Sequence, residues 1–280
     1  MKKKEYKDLD FTDDFMFCKI LENDKELCKD LIGLILGEKI EDITYLSKQK
    51  EVKERSDGKG IRMDVYVEGS RKVYDLEMQT VVRKNLPKRT RFYQSMIDGR
   101  LIDQGDDYDK LRDSYIIFIC LDDPFYQNRS VYTFENLCKE DNDLHLGDGS
   151  YKVFLNANGK RQGISTALTN FLNYLVTKEA SDELTARIDN ELSEAKKEES
   201  WEEEYKMINL RDYDKLQEGI AIGLEQGLEQ GVKEASSIMP SVVERLLKGE
   251  SRESIILSGV DSDLVDSAEQ IVKNVGKGCL

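Results

Sequence analysis

The chain has 280 residues, of which 39% are hydrophobic and 35% charged, and it carries a net charge of −14 with one histidine, His145. This balance predicts a globular part with a substantial core and a separate polar segment, and the lone histidine excludes sites that need two imidazoles. Five cysteines without CxxC spacing argue against disulfides or zinc, and no apolar run reaches the roughly 18 residues of a membrane span.

The N-terminal region predicts one interrupted helix. The opening sequence MKKKEYKDLDF has no apolar signal-peptide core, so we expect a cytoplasmic protein with reduced thiols and no membrane partner. Residues 12–36 predict a helix, because Thr12 can cap its start and apolar residues follow at helical spacing. We expect this helix to break near Asn23.

Two strands follow, and they predict an antiparallel hairpin. Residues 63–68 and 73–80 alternate between polar and apolar side chains, as half-buried strands do. Gly69 and Ser70 between them favour a tight turn.

The second strand carries an unusual polar row, Asp75, Glu77 and Gln79. These residues are poor strand formers, so either the strand is a solvated edge or the side chains have partners. In the hairpin, Asp64 and Glu77 share one face with Cβ atoms about 5 to 8 Å apart. Paired carboxylates suit Mg²⁺, and Gln79 on the same face could orient a water molecule.

A basic cluster comes directly after this row. Residues 81–91 contain five cations and no acid: Arg83, Lys84, Lys88, Arg89 and Arg91. Pro87 fits the first turn of a helix that we expect to end near Asp103. Basic side chains beside a carboxylate pair are typical of a site that cleaves phosphodiesters, although they would also solvate a helix start.

The middle of the chain completes a mixed α/β pattern. Residues 114–121 (SYIIFICL) form a continuous apolar run, which predicts a strand covered on both faces. Residues 164–177 predict a helix that packs on the sheet.

The C-terminal part is acidic and helical in pattern. Residues 179–280 carry −12 of the −14 net charge, so we predict a domain at 1–178, an acidic helical linker at 179–240 and a small helical segment at 241–280. Glycine recurs every four residues from Gly219 to Gly231, which fits either a self-associating helix and a homo-oligomer or a polar spacer. Beyond residue 240 we expect two or three short helices, broken at Gly249 and Gly259.

An ordered series of motifs resembles a known family. RMDVYV (62–67), YDLEMQ (74–79), RTRFYQSMID (89–98) and YIIFICLDDPF (115–125) are similar to the Rpn recombination-promoting nucleases, also labelled transposases, of the PD-(D/E)XK superfamily. TDDFMFCKIL (12–21), YTFENLCKE (132–140) and FLNANGK (154–160) extend the resemblance to about residues 10–210. It implies a restriction-endonuclease-like mixed α/β sheet flanked by helices.

The resemblance also implies a metal site. Asp64 and Glu77 would bind Mg²⁺, with Mn²⁺ or Ca²⁺ as alternatives. Asp14 matches the family's N-terminal acidic position and would be a third ligand, with the adjacent Asp13 as the competing choice. Gln79 stands where many relatives have lysine, and Arg91, in an R-x-Y setting, is the candidate that would replace the missing charge.

These inferences predict a metal-dependent DNA endonuclease linked to recombination or mobile elements. Asp64, Glu77, Gln79 and Arg91 would act in catalysis. The basic residues expected to contact DNA are Arg83, Lys84, Lys88 and Arg89. The alternative is a non-catalytic nucleic-acid-binding or interaction module that keeps the fold. The sequence shows neither a distant third acid in a ribonuclease-H-like order nor a recombinase nucleophile, so nuclease chemistry is favoured over transposition.

Overall fold

The computed structural model describes residues 4–52, 61–81 and 83–277, with the backbone alone at 45–52 and 275–277. It divides into two compact units, Met1–Tyr205 and Lys206–Leu280. The three-part division at residues 178 and 240 stays a prediction. Among the described residues, no helix is both long and apolar enough to cross a membrane.

A six-stranded mixed sheet forms the centre of the first unit. Its strands are β1 (Tyr45–Val52), β2 (Ile61–Glu68), β3 (Lys72–Gln79), β4 (Asp113–Cys120), β5 (Val131–Phe134) and β6 (Ser150–Asn156). Their order across the sheet is β1-β2-β3-β4-β6-β5. The pairs β3–β4 and β4–β6 are parallel and the other three are antiparallel.

Strands β2, β3 and β4 confirm the sequence predictions, whereas β1, β5 and β6 were not predicted. β1 (YLSKQKEV) lacks a regular apolar alternation, and β5 has only four residues. Pairing with β2 and β6 respectively makes these segments strands. Their structure therefore depends on a neighbour more than on local pattern.

Helices flank the sheet. Those of the first unit are α1 (Asp14–Asn23), α2 (Lys25–Leu36), α3 (Leu86–Leu101), α4 (Thr166–Thr177), α5 (Glu183–Ala195) and the beginning of α6 (Glu199–Leu247). Short 3₁₀ turns lie at Tyr6–Asp8 and Tyr108–Lys110. The predicted break near Asn23 is confirmed, because the Asp24 side chain caps α2 by accepting from the Leu27 N–H at 2.9 Å.

The polar row of β3 is buried in the middle of the sheet. Asp75, Glu77 and Gln79 are 0%, 1% and 8% exposed, so the solvated-edge alternative for this strand is wrong. The face is covered by α3, whose apolar residues join those of β2, β3, β4 and β6 in one cluster. The α3 members of that cluster are Leu86, Tyr93, Met96 and Ile97. The polar row thus lies inside a covered layer, where each side chain needs a partner.

The cysteines are free thiols where the structure describes them. Cys18, Cys28 and Cys120 are buried and Cys138 is partly exposed. The expected reduced state stays a prediction, and Cys279 lies outside the described residues.

The second unit is helical. It contains the remainder of α6, α7 (Arg252–Leu257) and α8 (Ser262–Lys277). A small core forms from Val242, Ile255, Val265 and Ala268. The predicted breaks are confirmed at Gly249 and Gly259, whose φ angles of 84° and 94° suit glycine.

The glycine repeat of α6 is helical throughout. At each of its four glycines an added Cβ would meet no atom within 4 Å. The repeat therefore has no close neighbour among the described residues that would explain the free energy these glycines cost the helix.

Candidate active site

The two predicted carboxylates meet where β2 and β3 separate. The pairing of the two strands ends at Val65 and Leu76, although both strands continue. Beyond that pair, the Asp64 N–H donates to Glu77 Oε1 at 3.1 Å, and the Met78 N–H donates to Asp64 Oδ2 at 3.0 Å. Each carboxylate thus accepts from the main chain of the opposite strand, which fixes both side chains at the same point.

Asp14 joins Asp64 from the first turn of α1. One carboxylate oxygen from each, together with Cys18 Sγ, lies within 4.8 Å of the others. Asp13 is engaged elsewhere, because it accepts from Lys4 Nζ and from the Asp10 N–H, both at 2.7 Å. Of the two residues considered for a third ligand, Asp14 is the one that lies beside Asp64.

Burial and like charge make this cluster unfavourable without a counter-ion. Burial, then the charges of Glu77 and Asp14, raise the pKa of Asp64 well above its ordinary value. Burial and Asp75 raise the pKa of Glu77, which Arg89 partly opposes. Burial, followed by Asp64, raises the pKa of the Cys18 thiol, so this sulfur stays protonated.

The donor set fits a hard divalent cation. Carboxylate oxygens of Asp14, Asp64 and the adjacent Glu77 are the ligand type that Mg²⁺, Mn²⁺ and Ca²⁺ prefer. A protonated thiol is a poor ligand, so Cys18 does not convert the cluster into a thiolate site. Cys18 was not predicted here; it lies one helical turn after Asp14, and that spacing was the available signal.

A second network surrounds the other side of Glu77. The Arg89 guanidinium forms an ion pair with Glu77 Oε2, and its Nη1 donates to Gln79 Oε1 at 3.2 Å. Its Nε and Nη2 contact Tyr93 Oη at 2.9 and 2.7 Å. Gln79 Nε2 donates to the Val81 carbonyl at 2.6 Å, so both ends of this amide are engaged.

Arg89 occupies the place predicted for Arg91. Residues two apart on an α-helix lie about 200° apart around its axis, so Arg89 and Arg91 face different ways. The packing of Leu86 and Tyr93 against the sheet turns Arg89 inward and leaves Arg91 exposed. The structure therefore does not bring Arg91 to the carboxylates, and its catalytic role stays a prediction.

A basic cleft opens beside this network. Its volume is about 620 Å³. The cleft is lined by Ile61, Arg62, Arg83, Asn85, Lys88, Arg89, Phe92 and Tyr93. Three of the four residues predicted to contact DNA are therefore in its wall, and the fourth, Lys84, is exposed outside it.

Arg62 connects the cleft to the carboxylates and was missed in the sequence. Its Nη2 lies 3.4 Å from Asp14 Oδ2. The available signal was its position two residues before Asp64 on the same strand, which places both at the open end of β2.

Asp75 was also missed as a residue of the site. Its carboxyl group is fully buried, and neither oxygen has a hydrogen-bond partner among the described residues. Burial, then the charge of Asp64, raises the pKa of Asp75, whereas Arg89 lowers it. Its place in the polar row of β3 was the signal for burial with Glu77.

Fold and site together define a class of protein. A mixed sheet with a parallel centre, flanked by helices, carries acidic residues on two neighbouring strands and on α1. This is the architecture of a PD-(D/E)XK nuclease, and it confirms the predicted fold class.

Comparison with known families agrees with this architecture. A family model described as PD-(D/E)XK nuclease family transposase matches residues 11–216, and the chain belongs to that family. The resemblance found in the sequence is thereby confirmed. No curated protein and no solved structure matches the chain.

Proposed function

We propose that this protein is a metal-dependent DNA endonuclease that hydrolyses phosphodiester bonds. The observation that carries the proposal is that Asp64 lies beside Asp14 and donates its N–H to Glu77, next to a cleft lined by four cationic side chains. Membership of the family supports a nuclease or transposase-related role. A link to recombination or mobile elements is part of this proposal.

The carboxylates would hold the ion. Asp64, Glu77 and Asp14 would bind Mg²⁺, or Mn²⁺ or Ca²⁺ in its place. When bound, such an ion polarises a phosphoryl oxygen and lowers the pKa of a coordinated water molecule. The chain's own contribution is to fix the carboxylates of Glu77 and Asp64, which it does through the main-chain N–H groups of Asp64 and Met78.

Gln79 is a neutral residue where a lysine would supply charge. Its amide is held at both ends, by Arg89 and by the Val81 carbonyl. The amide also has a second N–H and a second oxygen lone pair, and these groups would orient a water molecule or a phosphate. The positive charge of the site comes from Arg89 and Arg62.

The cleft would bind the DNA backbone. Arg62, Arg83 and Lys88 surround a space open to solvent, and arginine and lysine bind phosphate in complementary ways. The net charge of −14 does not prevent this contact, because screening over about 8 Å at physiological salt leaves the local cations in control. Lys84 and Arg91 are exposed nearby and would reach only the periphery of a bound duplex.

A homo-oligomer through α6 is a further part of the proposal. Its second-unit portion exposes a row of apolar residues next to the glycine repeat. The row includes Leu216, Ile220, Leu224, Leu228 and Val232. Small residues beside an apolar row permit close helix packing, which a second copy would provide.

A plasmid-nicking assay tests the endonuclease directly. Supercoiled plasmid is incubated with the full chain and Mg²⁺, Mn²⁺, Ca²⁺ or EDTA, and with Asp64→Asn under the same conditions. We expect nicked and linear DNA with Mg²⁺ or Mn²⁺ only, and none with Asp64→Asn. Metal-dependent DNA binding without cleavage by the wild type would instead support the non-catalytic binding module.

A further inference from the structure

Arg89 stands between the carboxylates and the basic cleft. We propose that it exchanges partners: it neutralises Glu77 in the metal-free protein, and a bound divalent ion displaces it so that it binds a DNA phosphate. This inference rests on the proposed nuclease function. It assigns Arg89 as a residue that couples metal binding to substrate binding.

Arg89 forms an ion pair with a buried carboxylate. Its partner Glu77 has a side chain that is only 1% exposed, whereas the Arg89 side chain is 29% exposed. An ion pair with a fully buried carboxylate is screened little by water or salt. Arg89 therefore supplies the counter-charge that this carboxylate needs inside the protein.

A divalent ion and the Arg89 guanidinium would compete for the Glu77 carboxylate. One of its oxygens accepts from the Asp64 N–H, which belongs to the strand backbone, and the other is paired with Arg89. An ion shared by Asp64 and Glu77 must use an oxygen already engaged. The guanidinium is the partner that can leave, because it ends a flexible side chain, and two cations on one carboxylate repel each other. Arg89 must therefore weaken divalent-ion binding to the free protein.

The other contacts of Arg89 determine its position after it releases Glu77. Its Nε remains beside Tyr93 Oη at 2.9 Å, and Tyr93 in turn contacts the Arg62 carbonyl at 3.2 Å. The guanidinium also lies 5.2 Å from the Phe118 ring centroid. These contacts keep Arg89 in the wall of the cleft after it releases Glu77. A planar guanidinium with free N–H groups binds a phosphate through two hydrogen bonds.

The consequence is a measurable coupling. A phosphate that takes Arg89 away from Glu77 makes the carboxylate available to the ion, and the ion makes Arg89 available to the phosphate. Linkage requires both effects to have the same size. Had Arg89 only a structural role, its removal would alter stability and leave the coupling intact.

The test measures Mn²⁺ affinity of the full chain by electron paramagnetic resonance, with and without a short DNA duplex under conditions too brief for cleavage. The variants are Arg89→Met, Arg89→Lys and the matched control Arg100→Met, an exposed arginine near the end of α3. We expect Arg89→Met to raise Mn²⁺ affinity at least threefold without DNA, and to abolish the increase that DNA causes in the wild type. Arg100→Met should keep the wild-type values.

The remaining outcomes are also decisive. Arg89→Lys keeps a positive charge near Glu77 but lacks the planar guanidinium. Mn²⁺ affinity should therefore stay near the wild-type value, whereas the coupling between Mn²⁺ binding and DNA binding should fall. The inference is wrong if Arg89→Met is folded by circular dichroism and binds Mn²⁺ no more tightly than wild type. If Arg89→Met does not fold, the inference is wrong if Arg89→Lys keeps the full wild-type coupling between Mn²⁺ and DNA binding.

The same measurements separate this inference from the proposed function. Asp64→Asn is measured in the same way, and Mn²⁺ binding that is lost in Asp64→Asn but does not depend on Arg89 refutes the exchange alone. Failure of every variant and of the wild type to bind Mn²⁺ refutes both proposals.

Discussion

Two segments of this protein contain residues that disfavour their own secondary structure, and they differ in what surrounds those residues. In β3, Asp75, Glu77 and Gln79 occupy a central strand and are buried. In α6, four glycines lie within a continuous helix, and an added Cβ on each would meet no described atom within 4 Å.

The contrast shows how to distinguish residues whose poor secondary-structure propensity serves a site from residues whose poor propensity has no visible reason. Glu77 and Gln79 have specific partners in Arg89, Asp64 and Val81, so tertiary contacts offset their poor strand propensity. The α6 glycines have no such neighbour among the described residues. A residue that is unfavourable locally and well connected in three dimensions indicates a site, whereas an unconnected one indicates a partner outside the chain or a weakly constrained segment.

The largest expected effect is at Glu77. Glu77→Gln keeps the shape of the side chain but removes the charge that a divalent ion needs, so we expect plasmid cleavage with Mg²⁺ to fall by at least about 100-fold. Rates are measured at saturating Mg²⁺, with thermal unfolding as the check on folding. A rate within a factor of about three of wild type would exclude Glu77 from the site.

We expect a smaller effect on cleavage at Asp14, and comparison with Asp13 tests which of the two is the third ligand. Asp14→Asn removes an oxygen ligand beside Asp64 and should lower the Mg²⁺-dependent rate about tenfold or more. Asp13→Asn is the matched control, because its contacts are with Lys4 and the Asp10 N–H. The assignment of the third ligand is reversed if Asp13→Asn has the greater effect.

Asp75 is the member of the β3 row whose carboxyl group has no hydrogen-bond partner among the described residues. Burial raises its pKa, so the folded protein retains this proton to higher pH than the unfolded chain. Its contribution to stability is complete below the unfolded value of about 4 and is lost as pH rises towards the folded value. Asp75→Asn should therefore be more stable than wild type at pH 7, by about 1 to 3 kcal/mol, and the difference should shrink towards pH 4.

Urea unfolding without divalent ions measures this difference at both pH values. Asp109→Asn, at an exposed position in a 3₁₀ turn, is the control for loss of one negative charge. Equal stability of Asp75→Asn and wild type at pH 7 would mean that the Asp75 carboxyl group has a partner in solution.

The glycines of α6 test the other side of the comparison. If the helix is unpartnered, Gly223→Ala and Gly227→Ala should each stabilise it by up to about 1 kcal/mol, seen as increased helical circular dichroism. Ala221→Gly, on the same helix, should have the opposite effect. If the glycines face a second copy, the alanine variants should instead lower the mass measured by light scattering.

Truncation is expected to have the smallest effect on cleavage. Removing residues 217–280 deletes a net charge of −5 and leaves the family-matched region intact. We expect unchanged cleavage at high salt and DNA binding strengthened by no more than about tenfold at low salt, because the deleted acidic segment repels phosphate. If the truncated chain and the full chain are both monomers, loss of cleavage on truncation would show that the nuclease requires residues 217–280.

Several features were determined by the sequence itself. Periodicity of two in β2 and β3 placed Asp64 and Glu77 together, and the structure has them in contact. The Asp24 cap and the glycines at 249 and 259 set helix ends through local chemistry. These features depend on contacts within one segment or between the two strands of one hairpin, so the sequence pattern alone predicts them.

Other features were decided only by tertiary structure. β1, β5 and β6 become strands through pairing with other strands of the sheet. The rotation of α3, set by packing on the sheet, chose Arg89 over Arg91 as the cation beside Glu77. The row in β3 had a polar face in the sequence, but its position at the centre of the sheet buried that face and left the Asp75 carboxyl group without a hydrogen-bond partner among the described residues. Sequence periodicity fixes which residues share a face, whereas packing decides what each face meets.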